Sequence, residues 1–307
     1  MKSKSRMWLV YLAVTLATDG AALLLAFWLW RHNGSVLLAT VPLILLIAGH
    51  MLFVAKGFAA SRRLQPQALR SAYPQTSSQR RTTYLRELIA MRRMFGLLMP
   101  LPLCVRRDGT GTPILFVHGF ICNAGVWRPL MRWLAHRAGA PMQAISLYPV
   151  LGNIDDYAAQ LHEAVAAMRQ RTGADKVMLV GHSMGGLVIR RYLQKSGAEH
   201  VTRVVTLGSP HHGVYISREL ARWGANLGQM KLGSTWLAGL NADQARDCPV
   251  PFLTLWSPHD NVCQPQDTSR LHYPNNVREQ ILPGEGHDTL LFSLTVWNTV
   301  LTEWKSA

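Results

Sequence analysis

Residues 176–193 read KVMLVGHSMGGLVIRRYL, and the remainder of the chain can be interpreted outward from them. The apolar run Val177–Val180 predicts a buried strand, and the apolar side chains after the glycines recur at helical spacing. Between the two lies the pattern G-x-S-x-G, with Ser183 at its centre. Strand, G-x-S-x-G and helix in this order are the context of a nucleophile elbow, a sharp turn that presents a serine. Ser183 is therefore the candidate nucleophile, and a chance occurrence of the short pattern is the alternative interpretation.

The helix predicted after Ser183 has a chemical consequence for that serine. The first N–H groups of a helix have no acceptor within the helix, and the positive end of the helix dipole lies there. Such donors stabilise the oxyanion that develops when a serine attacks a carbonyl group. The predicted turn thus combines a nucleophile with an electrostatic partner for the charge that its reaction creates.

Two more motifs accompany GHSMGG: ILFVHGF at residues 114–120 and LGSPHHG at residues 207–213. Together the three motifs resemble the α/β-hydrolase superfamily, and within it the bacterial lipases and esterases of the triacylglycerol-lipase type. The resemblance covers roughly residues 110–305 and leaves residues 1 to about 100 outside it. It implies an α/β fold, in which a mostly parallel sheet is flanked by helices and covered by a helical lid.

The resemblance also implies a catalytic acid and a catalytic base. Asp260 follows the apolar strand predicted at Pro251–Trp256, where the acid of the family's triad is found. His287 follows the strand predicted at Val277–Leu282, in a glycine-rich loop. The chain order serine, acid, histidine is that of the family. Three other acidic residues are less well placed after a strand: Asp243, Asp247 and Asp267.

In the family an oxyanion hole is formed by two backbone N–H groups, which correspond here to those of Phe120 and Met184. His118 is then expected to be structural rather than the base. The family's loop at 207–213 lines the substrate pocket, so His211 is a candidate substrate contact. Adjacent histidines point to different sides of the backbone, and therefore no metal site is predicted at His211 and His212. No cofactor is expected.

Residues 214–246 interrupt the alternation of strands and helices with apolar side chains at helical spacing. We interpret this segment as a lid over an acyl-chain pocket. Its candidate substrate contacts are Trp223, Leu227 and Met230. A helix that simply packs on the core is the alternative.

Two apolar stretches precede the hydrolase-like part: Met7–Trp30 with 24 residues and Val36–Ala55 with 20. Each reaches the roughly 20 residues that cross a bilayer as a helix. A cleaved signal peptide fits poorly, because the first apolar region is too long and no small-residue cleavage site follows. Residues 1–56 are therefore predicted to form a transmembrane hairpin. Within it, Asp19 is expected either to contact His50 or to remain solvated.

The net charge of +15 is concentrated next to these stretches. Residues 56–107 contain 11 Lys and Arg against Glu87 alone, whereas residues 108–307 contain 17 against 15 acidic residues. Such a basic segment favours anionic lipid headgroups, and the absence of a reader motif argues against nucleic acid. The positive-inside rule then predicts a multi-pass protein of the inner (cytoplasmic) membrane with its hydrolase domain in the cytoplasm.

Residues 57–107 are expected to form an extended linker followed by a basic amphipathic helix. Two placements of that helix are open, on the membrane surface or against the hydrolase domain at 108–307. The four cysteines have no metal-binding spacing and are expected to be buried, reduced thiols.

These features predict a membrane-anchored serine hydrolase that cleaves carboxylic esters, with lipid esters favoured by the anchor and the lid. An acyltransferase or thioesterase with the same triad is the first alternative. A non-catalytic, membrane-bound binding module is the second. Acyl chain length, head group and oligomeric state are not predicted.

Overall fold

The computed structural model describes residues 12–101 and 106–307. It begins with two helices, α1 at Leu12–Asn33 and α2 at Val36–Leu64, both long and apolar enough to cross a membrane. Gly34 turns the chain between them with a φ of +65°, a conformation that favours glycine. Their large apolar side chains face outward, as at Leu24 and Leu37, which are 71% and 79% exposed. Helices that expose so much apolar surface need an apolar environment.

The helical hairpin agrees with the predicted pair of spans, although its bounds differ. The expected start of the first span at Met7 lies outside the described residues. The second helix continues beyond Ala55, the expected end of the span, to Leu64.

The segment after α2 is helical, so the expected extended linker is wrong. Helix α3 spans Gln67–Ala72 and helix α4 spans Ser77–Arg93, followed by a π-helical turn at Met94–Leu98. Thr76 and Gln79 form a capping box, in which each side chain accepts the backbone N–H of the other. This reciprocal cap explains where α4 begins.

One face of α4 packs on the sheet-containing part of the chain, with Glu87, Ala90 and Met91 buried there. Another face meets the apolar helices, where Arg92 Nη2 lies 2.8 Å from Asp19 Oδ2. Asp19 accepts hydrogen bonds from Arg92 and, at 3.3 Å, from the Thr18 hydroxyl, whereas no hydrogen bond joins it to His50 within the described residues. Helix α4 thus contacts both the N-terminal hairpin and the sheet-containing part of the chain. The end of α2 contacts that part directly as well, because the Ser61 hydroxyl donates to the carbonyl oxygen of Asp260 at 2.7 Å. The division into domains at 1–56, 57–107 and 108–307 stays a prediction.

Within the described residues, seven strands form one sheet in the order β1-β3-β2-β4-β5-β6-β7. All neighbouring pairs are parallel except β1 and β3, which are antiparallel. The fold class expected from the sequence is confirmed, whereas the antiparallel edge strand β1 was not predicted. The strands are Arg106–Arg107 (β1), Ile114–Val117 (β2), Met142–Ile145 (β3), Val177–His182 (β4), Val201–Leu207 (β5), Phe252–Trp256 (β6) and Val277–Ile281 (β7).

Helices cover both faces of the sheet, because the central strands are apolar on both sides. One apolar cluster joins the sheet to α6 and α7, and the other joins it to α5 and α11. These helices span Arg128–Ala135 (α5), Ile154–Thr172 (α6), Met184–Ser196 (α7) and Leu294–Lys305 (α11). The loops after β4, β6 and β7 leave the same edge of the sheet, where parallel folds place their sites.

The segment expected to be a lid consists of three short helices: Arg218–Ala221 (α8), Ala225–Met230 (α9) and Thr235–Asn241 (α10). The extended Gly224 separates the first two, which breaks the helix suggested by the apolar spacing. Leu237 and Leu240 anchor the segment in the core.

Candidate active site

Ser183 stands on the turn between strand β4 and helix α7. Its φ of +53° and ψ of −126° lie outside the regions that non-glycine residues ordinarily adopt. Strain of this kind costs on the order of 1–3 kcal/mol and persists where the surrounding structure imposes it. The turn is close-packed, because a side chain at Gly185 would overlap the carbonyl oxygen of Val117. Ser183 therefore has the conformation of a nucleophile elbow.

Asp260 and His287 form a buried pair at the same edge of the sheet. The distance from His287 Nδ1 to Asp260 Oδ2 is 2.8 Å. The other carboxylate oxygen of Asp260 accepts the N–H groups of Val262 and Cys263 at 2.7 and 2.8 Å. Because the carboxylate is held from both sides, it fixes the imidazole ring with its Nδ1–H toward the acid. The Nε2 atom of this tautomer is the one that can act as a base.

The electrostatics of His287 follow from this pairing. Burial of the ring disfavours the charged form, but the Asp260 carboxylate and its hydrogen bond raise the pKa of His287 well above its usual value. An imidazolium at this position is thus stabilised. Stabilisation of the protonated base is what a triad acid supplies during attack by the serine.

Contacts between the loops bring the serine and the histidine into one site. His182, the residue before Ser183, donates from Nε2 to the carbonyl oxygen of His287 at 3.2 Å. The two imidazole centroids are 4.7 Å apart. The loop after β5 also reaches the pair, because a Cβ on Gly208 would lie 3.2 Å from Asp260 Oδ2. Loops after β4, β5, β6 and β7 therefore meet around the candidate nucleophile.

The candidate oxyanion donors Phe120 and Met184 lie on either side of Ser183. Met184 is the first residue of α7, and Phe120 follows strand β2 in the loop that begins at His118. A Cβ on Gly119 would lie 2.9 Å from Ser183 Cβ, so this loop packs directly on the serine. The two segments that carry these N–H groups therefore meet at Ser183, and their role as oxyanion donors stays a prediction.

His118 holds the peptide unit that carries the Phe120 N–H. The backbone N–H of Leu147 donates to His118 Nε2 at 2.9 Å, so the ring proton is on Nδ1. That Nδ1–H donates to the carbonyl oxygen of Gly119 at 2.8 Å. The Gly119 carbonyl and the Phe120 N–H belong to the same planar peptide, so this bond sets the direction of the donor. Burial lowers the pKa of His118 to about 4, which keeps the ring neutral.

Comparison with known proteins agrees with this fold. The family model of palmitoyl protein thioesterase matches residues 113–247. Aspergillus fumigatus lipase B superposes with a TM-score of 0.55 at 19% identity, covering 62% of this chain and 52% of the lipase. The mature Bacillus licheniformis lipase BlEst2 superposes with a TM-score of 0.52 at 21% identity, covering 63% and 93%. The chain therefore has the α/β-hydrolase fold.

Among curated proteins, the chain is similar to thioesterases and lipases. It is 26% identical over 129 residues to the lysosomal thioesterase PPT2-B of Xenopus laevis, covering 40% of the chain and 44% of the relative. It is 28% identical over 113 residues to a triacylglycerol lipase of Pseudarthrobacter phenanthrenivorans, covering 34% of each. The chain thus spans less than half the length of these relatives.

The other candidate residues lie in different surroundings. Leu227 and Met230 are buried in the apolar cluster that also contains Met184, whereas Trp223 is 75% exposed. His211 is fully buried, with Nε2 3.1 Å from Thr206 Oγ1. Substrate contacts by these four residues stay predictions, and the buried ring of His211 gives that role no support.

Alternatives for the catalytic acid are less well placed than Asp260. Asp247 accepts a hydrogen bond from Asn275 at 2.8 Å, and no contact between Asp267 and His287 is found within the described residues. Asp260 is the acidic candidate whose carboxylate contacts the histidine.

Cys263 lies beside the acid and the histidine, and ligand atoms of the three residues lie within 4.8 Å of one another. Its Sγ–H donates to the carbonyl oxygen of Gly208 at 3.0 Å. Burial and the negative charge of Asp260 raise the pKa of this thiol to about 11, so it is neutral at pH 7. All three residues are hydrogen-bonded to protein groups, His287 to Asp260 and Cys263 to Gly208.

Two residues of the site were missed in the sequence. Asn261 Oδ1 accepts the backbone N–H of His287 at 3.0 Å. Glu87, on helix α4, accepts the N–H groups of Asp288 and Thr289 at 3.0 Å each. The sequence did contain a signal for Glu87, because it is the one acidic residue in the segment 56–107, which contains 11 basic residues.

Proposed function

We propose that this α/β-hydrolase is a membrane-anchored serine hydrolase that cleaves carboxylic esters through an acyl-enzyme on Ser183. The observation that carries the proposal is the strained Ser183 at the sheet edge where Asp260 holds His287 at 2.8 Å. A serine, a tethered imidazole and a buried carboxylate are the parts of nucleophilic acyl transfer.

The proposed reaction has two half-reactions. In the first, His287 Nε2 takes the proton of the Ser183 hydroxyl as its oxygen bonds to the ester carbonyl. The carbonyl oxygen becomes an oxyanion that accepts the N–H groups of Phe120 and Met184. The intermediate collapses to the acyl-enzyme, and the alcohol leaves with the proton from His287. In the second, a water oxygen bonds to the acyl carbon as His287 takes its proton. The bond from that carbon to Ser183 Oγ then breaks, the acid leaves, and His287 returns the proton to the Ser183 oxygen.

Lipid esters are the substrate class that the surroundings favour. The two apolar N-terminal helices would hold the enzyme at a bilayer, where long-chain esters are concentrated. Lys56, Arg62 and Arg63, near the end of α2, would lie on the cytoplasmic side of the inner membrane under the positive-inside rule. The hydrolase domain would then also face the cytoplasm.

A thioester is the second candidate substrate. The observation that favours it is the match of residues 113–247 to palmitoyl protein thioesterase. The same Ser183, His287 and Asp260 would serve, because a thioester differs from an ester in its leaving group rather than in its carbonyl carbon.

The test is labelling of the membrane fraction with a fluorophosphonate, a probe that reacts with activated serines. Wild type, Ser183→Ala and Ser196→Ala are compared, and the last is a matched control at an exposed serine of the same helix. We expect labelling in wild type and in the control but not in Ser183→Ala. Equal labelling of Ser183→Ala, or none in folded wild type after detergent is added, would contradict the proposal.

Substrate assays then separate the candidates. A series of p-nitrophenyl esters and acyl-CoA thioesters of matched chain length compares the two leaving groups by kcat/KM. Addition of an acceptor alcohol distinguishes transfer of the acyl group from hydrolysis. A higher kcat/KM for the thioester would make a thioester the proposed substrate in place of an ester. The proposed triad would stay the same.

A further inference from the structure

Helix α4 runs along the loop that carries His287 and bonds to it at three successive points. The Thr83 hydroxyl donates to the carbonyl oxygen of Gly284 at 3.2 Å. Arg86 forms an ion pair with Glu285 at 2.8 Å. Glu87 follows one residue later, so the three side chains project from one face of the helix.

The carboxyl group of Glu87 is only 1% exposed and caps the turn after the histidine. Its Oε1 accepts the N–H of Asp288 at 3.0 Å, and its Oε2 accepts the N–H of Thr289 at 3.0 Å. Thr289 begins the short 3-10 helix Thr289–Phe292, whose first N–H groups have no acceptor within that helix. The cap thus comes from a helix outside the hydrolase sheet.

One of these bonds acts on the peptide unit between His287 and Asp288. The N–H of that unit donates to Glu87, and its carbonyl oxygen accepts from His182 at 3.2 Å. The peptide plane is rigid, so it is held on one side by α4 and on the other by the residue next to Ser183. Glu87, His287 and the nucleophile elbow are therefore linked through a single peptide.

The loop leaves room for this carboxyl group through a glycine. A Cβ on Gly286 would lie 2.6 Å from Glu87 Cδ and 3.1 Å from Asn261 Oδ1. No side chain fits in that space without displacing Glu87. Gly286 therefore permits a close contact in which the carboxyl packs against the backbone of the catalytic loop.

Glu87 performs this role as a neutral group. Burial and the negative charge of Asp288 raise its pKa to about 8, and Asp260 acts in the same direction while His287 and the Asp288 N–H oppose them. Asp288, Asp260 and His287 are thus the charged groups that act on the Glu87 carboxyl. A neutral carboxyl accepts N–H groups without adding another negative charge beside Asp260.

We propose that Glu87 is a positioning residue for the catalytic histidine, His287. Through Glu87, helix α4 completes the active site. This inference rests on the proposed function of Ser183 and His287. Helix α4 also touches the apolar hairpin, where Tyr84 donates to the carbonyl oxygen of Met51 at 2.8 Å. The hairpin, α4 and the catalytic loop accordingly form one continuous set of contacts.

The test compares Glu87→Gln with Glu87→Met in the full-length, detergent-solubilised protein at pH 7. Gln keeps one carbonyl oxygen, which in the position of Oε2 can accept the N–H groups of both Asp288 and Thr289. Met has similar length and no carbonyl, so neither variant leaves a large cavity. Glu199→Met is the control. Glu199 is exposed and lies just before strand β5, at the end of that strand away from the candidate active site. End-point fluorophosphonate labelling counts the active sites, and kcat per labelled site and KM are measured on a p-nitrophenyl ester.

We expect Glu87→Met to lower kcat by about 10- to 100-fold with KM changed less than about threefold, because a misplacement near 1 Å can cost about 10²-fold. Glu87→Gln and Glu199→Met are expected within about threefold of wild type. A kcat of Glu87→Met within that range would overturn the inference. A kcat of Glu87→Gln as low as that of Glu87→Met would also overturn it. Loss of all labelled sites in Glu87→Met would overturn it too, because it would indicate a role in folding alone. Failure of wild type to label or turn over would instead reject the proposed function.

Discussion

Replacement of Glu87 by Gln is predicted to change how the stability of the protein depends on pH. Burial and Asp288 raise the pKa of Glu87 from 4.5 to about 8 on folding. Between these two pH values the folded carboxyl is protonated and the unfolded one is ionised. Folding then takes up a proton, so stability is highest below about pH 4.5 and falls as pH rises toward 8.

The magnitude follows from the linkage between pKa and free energy. Each pH unit within this window lowers the free energy of unfolding of wild type by about 1.4 kcal/mol. The Gln variant lacks this titration but keeps Asp288, whose pKa burial raises to about 6 and whose effect has the same sign. From about pH 5 to pH 8, the Gln variant should therefore gain roughly 4 kcal/mol relative to wild type.

The assay is denaturant unfolding followed by tryptophan fluorescence, with both proteins in the same detergent across this pH range. Glu199→Gln, at an exposed glutamate, controls for the loss of a carboxylate elsewhere. A stability difference between Glu87→Gln and wild type that stays constant from pH 5 to 8 would refute the reasoning. It would mean that Glu87 is already ionised in the folded protein.

Three further predictions concern the geometry of the site. Gly286→Ala should lower kcat because its Cβ would lie 2.6 Å from Glu87 Cδ, and Glu87→Ala in the same chain should recover part of the loss. A double-mutant cycle in kcat checks this, and strictly additive effects would disprove the contact. Asp260→Asn should lower kcat by about 10⁴-fold, since the amide can donate to Nδ1 and so favour the wrong tautomer. Steady-state assays decide, and a loss below about tenfold would exclude Asp260 as the acid. Gly119→Ala should slow both turnover and fluorophosphonate labelling by about 10²-fold, because its Cβ would lie 2.9 Å from Ser183 Cβ and displace the oxyanion loop. Unchanged labelling kinetics would show that the loop does not contribute.

Much of the hydrolase domain could be predicted from local patterns. The strand predicted at Pro251–Trp256 is observed at Phe252–Trp256, because its apolar run is bounded by Pro251 and by the polar Ser257. The lid was predicted less well, since apolar spacing across Gly224 suggested one helix where the structure has two. A periodic pattern of apolar residues indicates which side of a segment is buried. It does not indicate whether one helix continues through the whole segment.

The sequence by itself determined the elements that depend on neighbours along the chain: the apolar helices, the buried strands, and the loops that carry Ser183, Asp260 and His287. Only the tertiary structure decided which side chains meet across elements far apart in sequence. Asp19 pairs with Arg92 rather than with His50, and Glu87 reaches a loop about 200 residues away. Apolar periodicity specifies which face of an element is buried. A contact between two polar groups depends on the distance and rotation between whole elements, and the packing of the complete chain sets both.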